Sequence, residues 1–324
     1  MTLEEKVGQM FIARCPSVDA AIYAKNYSLG GYILFGQDFK NSDPETFKKT
    51  VQSYQDAVNI RMFIAVDEEG GTVTRASRYP QFREAPFRSP QELYKEGGFQ
   101  AVKVDAKEKS EFLLGLGINM NFAPVCDISQ NPEDFMYERS VALSPEDTAT
   151  YVKTVVSEMN SAGIGSVLKH FPGYGDNGDT HTDIIIDKRP YKIFSMYDFL
   201  PFKAGIEEGA GVVLVSHNIV ECMDKDMPAS LSPEVIRILR EELGFTGLII
   251  TDDLAMDAIR LYTNSESAAV QAVIAGNDLL CCSDFTEQIP AVIKAVKDGR
   301  ISEERINESV LRILEYKLKL GIIK

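Results

Sequence analysis

The 324-residue sequence holds no apolar run near the ~18 residues that span a bilayer, so no membrane span is expected. Its opening, MTLEEKVGQMF, lacks the basic stretch and long apolar core of a secretory leader. A cytoplasmic protein is expected, or a secreted or lipid-anchored one if a leader has been removed. Cysteine is sparse. Cys15, Cys126, Cys222, Cys281 and Cys282 make an odd set with no C-x-x-C and no framework spacing. Reduced thiols are expected, three or four of them buried in strands. Basic charge is scarce too, with 34 Lys and Arg against 48 Asp and Glu for a formal charge of −14. That balance repels polyanions and excludes nucleic acid as a first partner, whereas a neutral small molecule fits it. No G-x-G-x-x-G follows a strand-like run and no G-x-x-x-x-G-K-[ST] occurs. No H-x-H or H-E-x-x-H spacing is present, so neither a nucleotide cofactor nor a metal is expected.

What is present is a repeating pattern. The 44% apolar and 25% charged fractions are those of an ordinary globular chain. Length alone admits two domains at ~150 residues each, or one large α/β barrel. Eight short apolar runs recur: QMFIA (9–13), YILF (32–35), MFIAV (62–66), INMNFAPV (118–125), SVLKHF (166–171), VVLVS (212–216), LIIT (248–251) and LLCC (279–282). Most lack apolar/polar alternation, which marks strands covered on both faces. Helical patterns lie between several of them. Ser144-Pro145-Glu146-Asp147 reads as N-cap, N1 proline and a capping pair, ahead of a stripe at Tyr151, Val152, Val155, Val156 and Met159. Ser232-Pro233-Glu234 repeats the start signal before Val235, Ile236, Leu239 and Leu243. Ser302 opens a last helix with Val310, Leu311, Leu314 and Leu318 expected inside. Residues 76–100 read as a long connection. The alternation, at about 40 residues per strand–helix unit, predicts one α/β domain over 1–324, a TIM (β/α)8 barrel, with an open doubly wound sheet as the alternative.

Chemistry in such a barrel sits where strands end. Five predicted strands run into polar residues: Asp67-Glu68-Glu69, Cys126-Asp127, Lys169-His170, Ser216-His217-Asn218 and Thr251-Asp252-Asp253. Any one could be a solvated strand end or a cap; five together suggest a shared pocket. Of three histidines, His170 and His217 lie at strand ends and His181 in the loop Asp176-Asn177-Gly178-Asp179-Thr180-His181. Asp179, two residues before His181, could reach an imidazole nitrogen and raise its basicity, or the loop could be an Asx-turn with an incidental histidine. Of the two chemistries these residue types could serve, a metal site lacks the ligand spacings, and cleavage of an acetal is favoured, with Asp252 as carboxylate and His181 as proton donor.

The blocks VDEEGGTVTR (66–75), GINMNFAPVCDI (117–128), LKHFPGYGDNGDTHTD (168–183), VSHNIV (215–220) and ITDDLAM (250–256) resemble, in order, the signature blocks of glycoside hydrolase family 3. The likeness is to its single-domain bacterial β-N-acetylglucosaminidase branch, and LEEKVGQMF (3–11) and AGNDLL (275–280) extend it over nearly the whole chain. The resemblance implies a TIM barrel that hydrolyses terminal β-linked sugars with retention. It implies Asp252 as nucleophile, His181 as general acid/base and Asp179 as its partner, in place of the usual second carboxylate. Asp67, Arg75, Arg139, Lys169 and His170 fall on its sugar-binding positions. An ion pair of Arg75 or Glu138 with a neighbour is the structural alternative there. Larger relatives draw an acid from a second domain; the chain's end at Lys324 leads to the expectation that the D-x-H loop supplies it. Tyr174 stands where the family often has His, and YERSV (137–141) replaces its G-x-R-S-F wording. The three glycines 173, 175 and 178 suggest a segment that closes over substrate. A carbohydrate substrate is expected, with peptidoglycan fragments as its source. A β-glucosidase, a phosphorylase and a non-catalytic sugar-binding protein are the competing readings.

Overall fold

The computed structural model describes every residue except 178–184, 257, 258, 260, 261 and 264–266. All eight apolar runs form strands: β1 (Phe11–Arg14), β2 (Gly31–Leu34), β3 (Phe63–Val66), β4 (Met120–Asn121), β5 (Gly165–Phe171), β6 (Val212–Val215), β7 (Leu248–Thr251) and β8 (Leu280–Cys282). Each pairs in parallel with the next, and β1 pairs with β8. The circle closes at a seam between β7 and β8 with a single bridge, Ile250 to Leu279. There Thr251 N–H donates to the Leu279 carbonyl at 3.3 Å, and the Thr251 hydroxyl oxygen accepts the Cys281 N–H at 3.2 Å. This is the expected TIM barrel in one domain. The strands are buried on both faces because helices cover the outside and side chains fill the inside.

The start signals behave as their chemistry requires. Ser144 Oγ accepts the Asp147 N–H at 3.1 Å, Pro145 begins the helix Pro145–Ala162, and the whole stripe from Tyr151 to Met159 is buried. Ser232 Oγ accepts from Val235 N at 3.2 Å and starts the helix Pro233–Arg237, which widens into a looser turn through Ile238–Glu242. Two expectations change. The segment 76–100 is a connection only as far as Ser89, whose capping box with Glu92 starts the helical stretch Pro90–Gly115, broken by a kink at Gly97 and Gly98. In the helix Glu303–Lys319 the buried stripe is Ile306, Val310, Ile313, Tyr316 and Lys317, while Leu311 and Leu318 are exposed. The branched and aromatic residues, not the leucines, set the inward direction, and that stripe carries a lysine. Lys317 Nζ donates to Gln9 Oε1 at 2.8 Å and lies 4.9 Å from the centre of the Phe63 ring at the base of the barrel. Burial pushes the Lys317 ammonium down to about 7.

Among the described residues the cysteines are free thiols. Cys15, Cys126, Cys281 and Cys282 are buried and Cys222 is exposed. Only Cys281 and Cys282 lie within strands; Cys15 and Cys126 follow strand ends. No described helix is long and apolar enough to cross a membrane.

Candidate active site

All strands run the same way, so every βα turn opens at one end of the barrel. The turn after β3 is built first. Glu68 is fully buried and its carboxylate accepts the N–H groups of Arg75 (3.0 Å) and Ala76 (2.8 Å) and the Ser77 hydroxyl (2.5 Å). Asn121, on β4, clamps the Glu68 main chain from the other side, accepting its N–H at 2.9 Å and donating to its carbonyl at 3.0 Å. Glu68 is thus a brace, and its neighbours Asp67 and Glu69 are aimed by it.

Five charged groups then meet, from the segments after β3 and β4 and from β5 itself. Lys169, on β5, places Nζ 2.6 Å from Asp67 Oδ1 and 2.6 Å from Glu69 Oε1. Arg139 forks onto Glu69, with Nε at 3.0 Å and Nη2 at 2.7 Å. Arg75 turns to Asp67 at 3.9 Å, so the neighbour it meets is Asp67. Burial alone would raise the Glu69 carboxyl, but the charges of Arg139 and Lys169 and their hydrogen bonds hold it well below the usual carboxylate range. Glu69 and Lys169 are each 2% exposed, whereas Asp67, Arg75 and Arg139 keep 16–20% of their side-chain surface. The buried pair fixes direction; the outer three keep donors and acceptors facing the mouth.

His170 joins this network through Asp127, a carboxylate in the segment that follows β4. Asp127 Oδ2 lies 2.7 Å from His170 Nδ1 and also accepts the His170 N–H at 3.1 Å. An ionised carboxylate only accepts, so Nδ1 carries the proton and Nε2 presents a lone pair. Arg139 Nη2, 3.2 Å away, donates to that lone pair. The other Asp127 oxygen accepts the Tyr174 N–H at 2.9 Å, tying the next turn to the same group.

Asp252 follows β7. Its N–H donates to the Val215 carbonyl at 3.1 Å and its Oδ1 accepts the Asp253 N–H at 2.9 Å. Asp253 is held by the N–H groups of Ala255 and Ser283, each at 3.0 Å, and by the Ser283 hydroxyl. His217 donates from Nε2 to the Asp253 carbonyl at 3.0 Å and accepts a hydrogen bond from the Ser230 hydroxyl on Nδ1 at 2.7 Å, which makes it a brace for this turn. The Cys281 thiol is pushed up by burial and then by the charges of Asp253 and Asp252.

The structure therefore brings Asp67, Arg75, Arg139, Lys169 and His170 into one network, with Asp252 at the same end of the barrel. Asp179 and His181 lie outside the described residues. Two members escaped the sequence: Glu69 and Asp127. Glu69 was visible only as part of an acidic run, and its partners lie 70 residues on at Arg139 and still farther at Lys169. Asp127 was visible as a polar strand end, but its grip on His170 spans 43 residues.

Fixed carboxylate, ammonium and guanidinium groups around a barrel mouth suit a hydroxyl-rich ligand, because charge-assisted hydrogen bonds to hydroxyls are strong and directional. Fold and site together define the class of TIM-barrel glycoside hydrolases. Residues 2–316 match the model of the glycosyl hydrolase family 3 N terminal domain, and the chain belongs to that family. Among curated relatives, a beta-hexosaminidase of Nitrosomonas eutropha is 34% identical over 79% of this chain and 74% of its own length. Beta-hexosaminidase A of Pseudoalteromonas piscicida is 30% identical over 91% of this chain and 54% of its own. A family 3 beta-N-acetylglucosaminidase from a Paenibacillus species superposes with a TM-score of 0.91 at 31% identity, covering 99% of this chain and 63% of that one. A beta-N-acetylhexosaminidase from Beutenbergia cavernae gives 0.87 at 25% identity, covering 98% of both chains. The chain thus spans about half the length of the Pseudoalteromonas relative (54%) and nearly all of the Beutenbergia structure.

Proposed function

We propose that this chain is a retaining β-N-acetylglucosaminidase that removes terminal, non-reducing, β-linked N-acetylglucosamine. The observation that carries the reading is the network of Asp67, Arg139, Lys169 and His170 opening at the same barrel end as Asp252. The names of the two relatives and of the two solved structures support the substrate class.

In the proposed cycle Asp67, Arg75, Arg139, Lys169 and His170 hold the sugar hydroxyls. An Asp252 carboxylate oxygen forms a bond to the anomeric carbon as the bond to the leaving oxygen breaks. The imidazolium of His181, with Asp179 behind it, gives its proton to that oxygen. A water then gives its proton back to His181 and attacks the anomeric carbon, the bond to Asp252 breaks, and the sugar leaves with its original β configuration. Fragments of peptidoglycan are the proposed source of substrate, and the cytoplasm the proposed location.

The test is hydrolysis of p-nitrophenyl β-N-acetylglucosaminide against the glucoside, with and without phosphate, with the first-formed anomer read by proton NMR. Faster release from the N-acetylglucosaminide, independent of phosphate and giving the β anomer first, is expected. Preference for the glucoside, a sugar phosphate product or the α anomer would each overturn the reading.

A further inference from the structure

The chain leaves β5 at Phe171 and returns to regular pairing at Ile186–Asp187, which form a short parallel ladder with Ile219–Val220. The two ends of this excursion are fastened to each other. Arg189 Nη2 donates to the Gly173 carbonyl at 3.0 Å and to Asp187 Oδ2 at 2.7 Å. Its Nε lies 3.1 and 3.0 Å from the two Asp187 oxygens, and its Nη1 lies 3.2 Å from both oxygens of Asp198. Asn177 Nδ2 donates to Asp187 Oδ2 and to the Tyr174 carbonyl, both at 2.7 Å. The guanidinium lies flat against the outgoing turn: a Cβ on Gly175 (φ +58°) would sit 2.3 Å from Arg189 Nη1, and one on Gly173 (φ +118°) 2.6 Å from Asp198 Oδ1. The same turn is tied to the sugar-binding network, since Tyr174 N–H donates to the carboxylate that holds His170.

We propose that Arg189, Asp187 and Asn177 form a clasp that positions the intervening chain, with Asp179 and His181 on it, for proton transfer to the leaving oxygen. They are positioning residues, and the proposal rests on His181 being the acid/base. Asn177 and Asp187 are ten residues apart in sequence. Joining them ties the two ends of the segment together, and closing a short segment at its ends lowers the number of conformations open to it. A half-buried guanidinium serving two buried carboxylates is a costly way to fill space. Here, among the described residues and apart from its Asp198 pair, its hydrogen bonds and those of Asn177 go to the feet of one chain segment. A merely structural ion cluster has no need of that arrangement.

The test uses the full chain with Asn177→Ala and, separately, Arg189→Lys, assayed on aryl β-N-acetylglucosaminides whose leaving groups span a range of acidity. Asn177 is half-buried and its removal leaves the ion cluster intact, so that variant isolates the clasp from folding. Misplacing an acid harms poor leaving groups most. The expected result is a loss in kcat/KM on the order of 10²-fold for the poorest leaving group and under about tenfold for the most activated one, steepening the dependence on leaving-group acidity. An unchanged dependence, with activity either intact or lowered equally on all substrates, would overturn the proposal. His181→Ala on the same panel separates the two readings: a steep dependence there with none in the clasp variants removes the clasp alone, and none in either removes the role of His181 as well.

Discussion

His170 donates its Nδ1–H to Asp127 across 2.7 Å, and this one bond decides what the other ring nitrogen can do. With the proton fixed at Nδ1, Nε2 is an acceptor, already facing Arg139 and aimed at the mouth. Asp127→Asn removes the charge and allows an amide N–H to face the ring, so the tautomer is released. A hydrogen bond to a charged group is worth about 1.5–3 kcal/mol, or roughly 10–100-fold. The expected outcome is a rise of that order in KM with a smaller change in kcat, read from steady-state kinetics and from titration with free N-acetylglucosamine.

Glu69 joins two cations in the dry part of the site. Its folded carboxyl ionises well below the unfolded value near 4.5, so its contribution to stability is full above that pH and is lost as the pH falls through the folded value. Glu69→Gln leaves Lys169 and Arg139 short of a counter-charge, at a cost of about 3–5 kcal/mol near neutral pH. Urea unfolding at pH 7 should show that loss. As the pH is lowered from about 4.5 the gap between variant and parent should narrow progressively.

Lys317 has the opposite sign. Its folded value, near 7, lies below the ordinary 10.5. Between those limits the unfolded chain holds the extra proton, so this residue makes stability rise with pH by up to about 1.4 kcal/mol per unit. At or below pH 7 its burial penalty is greatest. Lys317→Met should flatten the rise between pH 7 and 9, and thermal unfolding across that range measures it.

Asp252→Asn should leave the fold and sugar binding intact and lower turnover by at least about 10³-fold, because the covalent route then has no nucleophile. Circular dichroism with a titration of N-acetylglucosamine checks the first half and single-turnover kinetics the second. Full turnover in this variant would remove Asp252 from the role.

The barrel was legible because its strands are buried on both faces and read as solid apolar runs. The capped helix starts at Ser144, Ser232 and Ser302 were legible because a cap is a local hydrogen bond, as seen from Ser144 to Asp147. The direction of the last helix was not legible. Leucine counts could not reveal that Ile306, Ile313 and a lysine point inward, since that depends on the strands beneath. The same limit applies to the site. Lys169 and His170 announced themselves by motif, but Glu69 and Asp127 act on partners 43 or more residues away. Such partners are set by barrel closure rather than by anything adjacent in the chain.

The seam between β7 and β8 has one further consequence. Elsewhere around the barrel main-chain rungs set the distance between neighbours, and no residue choice alters it. At this joint a threonine hydroxyl stands in for a rung, immediately before Asp252. Beside its backbone bonds, this joint therefore depends on one side chain, at position 251, next to the proposed nucleophile.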